Sequence, residues 1–315
     1  MASFIPIWVM GFDRLKSNNL SGASEIYQRT LTYWADEISH IDPPSLRRAH
    51  NYLRRRGHFI ICLQPRMAPL FNLVNRVLLA AAEAINVQQL KDKTIAVLED
   101  SGHQLSKAQQ LVCDECAKIV PPSLTVGLHS RSSMVVHVIS SLVERGVDMR
   151  VIQTESRPMN EGLTAARFFC EHHIQVTFLV DAALATMIQK SDMIFVGADT
   201  FSTTQITNKI GTHALALLAR EHQTPIYCLT TGDKYLPQGI HIADEEQHES
   251  HEVWPDRPEG VTVWNKYFED TPAELFTGII TEHGVLQPSE LDFFEELYEL
   301  DPWLRERFES ELEQE

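Results

Sequence analysis

Cysteine, basic charge and long apolar runs are all scarce in this chain, and each shortage removes a class of protein. Five cysteines (Cys62, Cys113, Cys116, Cys170 and Cys228) among 315 residues do not make a disulfide framework. No apolar run approaches the ~20 residues that a membrane span needs. The opening MASFIPIWVMGFDR is apolar but has no basic residue ahead of its apolar part and no clear cleavage site. It reads as a packed segment rather than a signal peptide. Lys and Arg number 27 against 43 Asp and Glu, for a formal net charge of −16. That balance argues against non-specific binding to nucleic acid or to an anionic membrane. Much of it is local: from Glu290 to Glu315 eleven acids face only Arg305 and Arg307, leaving −7 for all the rest. Internal repeats and low-complexity linkers are also lacking. A reduced, cytoplasmic protein is expected.

What is present is globular in kind: 43% hydrophobic and 22% charged residues, enough for one large domain or two ordinary ones. The first 120 residues carry helical periodicity. EIYQRTLTYWADEI follows Ser21-Gly22-Ala23-Ser24, and Pro43-Pro44-Ser45 caps LRRAHNYLRRRG, with Gly57 read as that helix's C-cap. Arg66 to Ala84 and Ser106 to Ile119 read as two more helices. After Pro121-Pro122 the texture changes. Short apolar runs at 124–128, 149–153, 176–180, 193–196 and 226–229 alternate with helical stretches, which predicts βαβ units. The fold class expected is α/β: an N-terminal helical domain (1–120) and a C-terminal Rossmann-like domain (121–315) with a mostly parallel sheet. Residues 232–260 form a long polar loop, suited to a lid or an interface. Helices are expected from Pro272 onward, and the acidic C-terminal stretch reads as an amphipathic helix. Its Phe293, Phe294, Leu297 and Leu300 would pack on the body or on another subunit.

The richest segment is SDMIFVGADTFSTTQITNKIGT (191–212). A strand ends in Gly197-Ala198-Asp199, and Asn208-Lys209-Ile210-Gly211-Thr212 is read as opening a helix. An acid at a strand's carboxyl end, an amide, an ammonium and helix-terminal N–H groups together suit a phosphorylated polyol. Another strand ends in His129-Ser130-Arg131-Ser132-Ser133 just before a helix, where hydroxyls and a guanidinium converge on free N–H groups. One serine caps that helix in any case. Arg157, in Glu155-Ser156-Arg157-Pro158, could clamp a phosphate or could fix its own loop through a Glu. Asp181 could neighbour Asp199 in acid–base work, but capping of the helix after it is the favoured reading. Cys113 and Cys116 form a lone CxxC with no second pair, so they are read as partly buried helix residues. His172-His173 and the histidines of 241–251 lack a metal-site pattern. Arg54-Arg55-Arg56 reads as a solvated face or a contact for an acidic partner.

These motifs resemble one family. SGASEIYQ (21–28), LHSRSS (128–133), ESRPMNEG (155–162), GAD with NKIGT (197–212) and TPAELFTGIITEHGVLQP (271–288) fall in its order. The family joins ribose-1,5-bisphosphate isomerase, methylthioribose-1-phosphate isomerase and the alpha, beta and delta regulatory subunits of translation initiation factor 2B. The resemblance implies the two-domain fold above, dimerisation through the Rossmann-like domain, no cofactor and no metal. It implies that an aldose 1-phosphate becomes a ketose 1-phosphate as the ring opens and a proton moves from C2 to C1. Asp199 matches the family's acid, Asn208 and Lys209 its substrate-binding pair, and Arg157 its arginine near the sugar phosphate. Gly22 and Ala23 of the SGAS turn, with Arg66 in place of an RPT arginine, would close the pocket. Arg131, Ser132 and Ser133 would bind phosphate or hydroxyls.

Position 130 is where the isomerases carry a catalytic cysteine, and here it is Ser130. A thiol is partly ionised near neutral pH, whereas a serine hydroxyl needs an adjacent base. Three roles therefore stay open: an isomerase with Asp199 and Ser130 as catalytic residues; a non-catalytic sensor or regulatory subunit binding a sugar phosphate or nucleotide; or an assembly subunit with a vestigial pocket. A homodimer or higher homo-oligomer is expected, with no nucleic-acid or membrane partner.

Overall fold

The computed structural model describes residues 23–309. These divide into two compact units: 23–107 with 233–244 and 297–309, and 108–232 with 245–296. The expected boundary at residue 120 falls one residue past helix α4 (Val87–Ile119), whereas the division lies inside α4, and two later segments return to the first unit.

The first unit is helical because its apolar residues repeat at helical spacing. In α1 (Ala23–His40), Tyr27, Leu31, Trp34 and Ile38 are three or four apart and all buried. In α2 (Leu46–Leu63), Ala49, Leu53, Gly57, Ile60 and Ile61 do the same. Ser45 caps α2, accepting from the Arg48 N–H at 3.3 Å. Helix α3 (Ala68–Ala82) is buried on nearly every side. Gly57 does not end α2, as the sequence reading had it. A Cβ there would fall 2.5 Å from Val74 Cγ1, so the glycine lets α2 pass close to α3.

Two buried asparagines on α3 bind the returning segments. Asn72 Nδ2 donates to the carbonyls of Asp233 (2.6 Å) and Tyr235 (2.7 Å). Asn75 Nδ2 donates to Glu299 O at 2.7 Å, and its Oδ1 accepts from Asp301 N–H at 2.8 Å. The acidic C-terminal stretch is accordingly two short helices, α9 (Asp292–Leu297) and α10 (Pro302–Phe308). Asp301 caps the second through the Trp303 and Leu304 N–H groups. Leu300, Leu304 and Phe308 enter the first core, with Phe308 edge-on to Phe71. Phe294 is buried beside Phe201 of the second unit, while Leu297 is exposed.

The second unit is α/β. Its strands are β1 (Ser123–Leu128), β2 (Asp148–Thr154), β3 (Gln175–Leu179), β4 (Met193–Val196), β7 (Ile226–Leu229), β9 (Gly278–Thr281) and β10 (Gly284–Leu286). They form one sheet ordered β10-β9-β7-β4-β1-β2-β3, parallel except for β10. Helices α5 (Ser133–Glu144), α6 (Glu161–Glu171), α7 (Leu184–Lys190) and α8 (Thr212–Glu221) connect the strands, as their alternation predicted. Where helices were expected after Pro272, β9 and β10 extend the sheet instead, since GII pairs with Tyr227–Leu229 and GVL folds back on β9. A smaller antiparallel sheet joins β5 (Thr200–Phe201), β6 (Gln205–Lys209) and β8 (Phe268–Pro272). Among the described residues no helix is long and apolar enough to cross a membrane.

The chain runs β1, β2, β3 to one side and then places β4 on the other side of β1. This reversal is a topological switch point, where the carboxyl ends of parallel strands leave a crevice for ligands. Ser130 follows β1, and Asp199 follows β4.

Candidate functional site

His129, immediately after β1, is buried and anchored at both ring nitrogens. Nε2 lies 2.8 Å from the Ile210 carbonyl, an acceptor only, so it carries the proton, and Nδ1 accepts from the Thr154 hydroxyl at 2.7 Å. Burial lowers the pKa of this imidazole, outweighing the Ile210 carbonyl and the Asp181 carboxylate, which raise it. His129 thus ties β1 to β2 and to the NKIGT segment, and neither ring nitrogen bonds to Ser130.

Ser130 has φ of 70°, a left-handed backbone uncommon for a residue with a side chain. Its N–H donates to Ser156 Oγ at 2.7 Å, and its carbonyl accepts from Gln153 Nε2 at 3.2 Å. Its hydroxyl donates to Glu161 Oε1 at 3.2 Å. Ser132 is the helix cap the sequence anticipated, accepting from the Val135 N–H at 3.5 Å. Arg131 and Ser133 are exposed beside it. A Cβ on Gly197 would fall 2.3 Å from Ser132 Oγ, so the GAD turn and the HSRSS turn meet there, and only glycine fits.

Asp199 is half-exposed, and its N–H donates to Thr207 O at 2.9 Å. That bond joins it to the strand bearing Asn208 and Lys209. These two residues lie on β6, not at the start of a helix; α8 begins at Thr212. Pairing makes them strand, because Asn208 and Lys209 sit opposite Glu269 and Phe268 of β8. Asn208 Nδ2 donates to Thr212 Oγ1 at 3.0 Å. Lys209 is only 3% exposed; Nζ is 2.8 Å from Glu161 Oε1 and 5.1 Å from the Tyr267 ring centroid. Two of the N–H groups expected to receive phosphate at the start of α8 are already engaged. Glu269 Oε1 accepts from Gly211 (2.7 Å) and His213 (2.9 Å).

Asp181 does not cap the helix after β3. Its carboxylate accepts from the backbone N–H groups of Ser156 (2.8 Å) and Arg157 (2.7 Å), fixing the turn after β2. Arg157 is exposed, and its guanidinium donates to the carbonyls of Val253 (2.9 Å) and Glu252 (3.2 Å). It therefore holds the 245–260 part of the loop, through backbone carbonyls rather than a Glu side chain. In the same loop the buried Glu245 accepts from Tyr267 N–H at 2.7 Å, and Glu252 accepts from the Tyr267 hydroxyl at 2.6 Å.

Of the expected site residues, Ser130 and Lys209 share one carboxylate oxygen, and Ser132 packs on the Asp199 turn. Arg66, half-buried between α2 and α3, and Ala23, the first residue of α1, belong to the first unit. Gly22 lies outside the described residues. Cys113 and Cys116 are buried on α4, where burial pushes the Cys116 thiol up to about 12. The residue the sequence reading missed is Glu161. It stands in ESRPMNEG at the first position of α6, where an acid ordinarily does no more than interact favourably with the positive end of the helix dipole. No sequence signal ties it to positions 130 and 209.

A family model described as the Initiation factor 2 subunit family matches residues 19–288. Ribose 1,5-bisphosphate isomerase of Methanocaldococcus jannaschii is 28% identical over 285 residues, covering 88% of this chain and 90% of that protein. Methylthioribose-1-phosphate isomerase of Nitratidesulfovibrio vulgaris is 33% identical over 258 residues, covering 70% and 73%. Among solved structures, the Pyrococcus horikoshii translation initiation factor eIF-2B superposes with a TM-score of 0.75 at 24% identity, covering 90% of this chain and 98% of that one. At that identity the last match speaks for the fold alone.

Proposed function

This chain belongs to the initiation factor 2 subunit family, and on that premise we propose that it is a sugar-phosphate aldose–ketose isomerase acting on a ribose 1-phosphate-type substrate. The observation that carries the reading is the pairing of β1 with β4, Leu128 beside Phe195. It brings a hydroxyl, Ser130, and an acid, Asp199, to neighbouring strand ends at the switch point. The similarity to two named sugar-phosphate isomerases supports it.

In this reading Asp199 gives a proton to the ring oxygen as the ring opens, and Ser130 receives the C2 proton. Lys209 and Asn208 hold substrate oxygens. Arg157, Arg131, Ser132 and Ser133 take the phosphate. The protein works as a homodimer.

The hydroxyl at position 130 favours a second reading: a sensor or regulatory subunit that binds a sugar phosphate or a nucleotide and leaves it unchanged. A thermal-shift screen with ribose 1,5-bisphosphate, methylthioribose 1-phosphate, other sugar phosphates and nucleoside monophosphates separates the two when each hit is followed by NMR. Ligand at 100 times Kd raises stability by about 2.7 kcal/mol. A hit converted to its ketose by the native chain and not by Asp199→Asn supports the isomerase. A hit bound and unchanged supports the sensor. No hit at all leaves the assembly role.

A further inference from the structure

A serine hydroxyl is too weak an acid to replace a thiol unless a neighbouring group takes its proton. Two acceptors of the neighbouring turns, His129 and Asp181, are already committed. His129 offers no lone pair to Ser130, since Nε2 donates to Ile210 O and Nδ1 accepts from Thr154. Asp181 spends one carboxylate oxygen on the Ser156 N–H and the other on the Arg157 N–H. Glu161 remains. Its Oε1 accepts the Ser130 hydroxyl at 3.2 Å, and the same oxygen is held by Lys209 Nζ at 2.8 Å. Its Oε2 is buried and makes no hydrogen bond among the described residues. A buried carboxylate oxygen without a donor is unfavourable in a resting fold, and it is an open place for a proton.

The backbone around Ser130 is arranged to hold this contact. Its left-handed φ of 70° is kept by two bonds, from its N–H to Ser156 and from Gln153 to its carbonyl. Strain of this kind persists only where the surroundings over-determine it, and it gathers at functional sites. Lys209, almost fully buried, neutralises the carboxylate without consuming its second oxygen.

We propose that Glu161 activates Ser130, so that the Ser130–Glu161 pair does in this chain the work of an ionised thiol. The inference rests on the isomerase reading. In the first half-reaction Ser130 Oγ takes the C2 proton and passes its own to Glu161. The C2–H electron pair forms the C1=C2 double bond, the bond from C1 to the ring oxygen breaks, and that oxygen takes the Asp199 proton. In the second half the C2 hydroxyl returns its proton to Asp199 as the C2 carbonyl forms. C1 receives the Ser130 proton, and Glu161 restores it to the serine. No other reactant is consumed.

The test uses the full chain and ribose 1,5-bisphosphate or methylthioribose 1-phosphate in deuterated buffer, with NMR following the ketose and deuterium at C1. Glu161→Gln keeps the shape and removes the proton acceptor, so kcat falls at least ~100-fold with KM little changed. Ser130→Ala, which leaves the Lys209–Glu161 pair in place, shows a similar loss. Ser130→Cys in the Glu161→Gln background restores turnover, because a thiol ionises without help. A Glu161→Gln chain as fast as the native one overturns the proposal alone. So does a double variant as slow as Glu161→Gln, which would make Glu161 only the charge partner of Lys209. Turnover of neither sugar by the native chain overturns the proposal together with the isomerase reading.

Discussion

Lys209 Nζ lies 2.8 Å from Glu161 Oε1, pairing a buried ammonium on β6 with a carboxylate at the start of α6. Removing one partner of such a pair leaves the other uncompensated, which is worse than losing both. Lys209→Met is therefore expected to destabilise the second unit by about 3 kcal/mol, the low end for a buried pair because Glu161 keeps some solvent contact. Adding Glu161→Gln should relieve part of that loss. Urea unfolding of the two single variants and the double measures the coupling, and strictly additive losses would deny it.

His129 makes stability depend on pH. Burial lowers its folded pKa below the ordinary value of 6.5, so below neutrality the unfolded chain binds more protons than the native one. Stability then rises with pH across that window and falls as pH drops from about 7 toward the folded pKa. His50 and His58 are shifted the same way, so the His129 contribution is read as a difference between chains. Native protein should lose more stability than His129→Gln on acidification from pH 7 to 5. Parallel curves would show that His129 does not contribute to this pH dependence.

Arg157 fastens the 245–260 segment through two backbone carbonyls. Arg157→Ala should speed amide hydrogen exchange around residues 250–254 while shifting global stability by only about 1 kcal/mol. A phosphate bound by the same guanidinium would compete with those carbonyls, so saturating ligand should also speed exchange there. Slower exchange on ligand binding would mean that Arg157 keeps its loop contacts.

Gly57 permits the close passage of α2 and α3. Gly57→Ala places a methyl group against Val74 and should cost about 1–3 kcal/mol by overpacking, despite alanine's better helix propensity. A C-cap glycine would carry no such packing penalty, so thermal unfolding of this variant tests the packing role of Gly57 directly. A rise in Tm would refute it.

The parallel strands were legible because MIFV and IYCL are short, wholly apolar and bounded by turns, the mark of strands covered on both faces. The β6 strand was not, since QITNK is polar and becomes strand by pairing with residues some sixty positions away. β9 likewise gains its place from β7, some fifty positions away, and β10 then folds back on β9 as a hairpin. At the site, Ser130, Asp199 and Lys209 stood out in motifs. Glu161 and Asp181 act through contacts that span 24 to 48 residues, Ser130, Lys209 and Arg157 being their partners. An acid beside a helix start always has a simpler local reading.

The most direct test of the isomerase reading is NMR observation of ribose 1,5-bisphosphate and methylthioribose 1-phosphate incubated with the native chain, alongside Asp199→Asn. Appearance of the ketose 1-phosphate with native protein, and its absence with the variant, is the expected result. Sugars that bind with a clear thermal shift yet stay unchanged over hours would contradict it and leave a sensor.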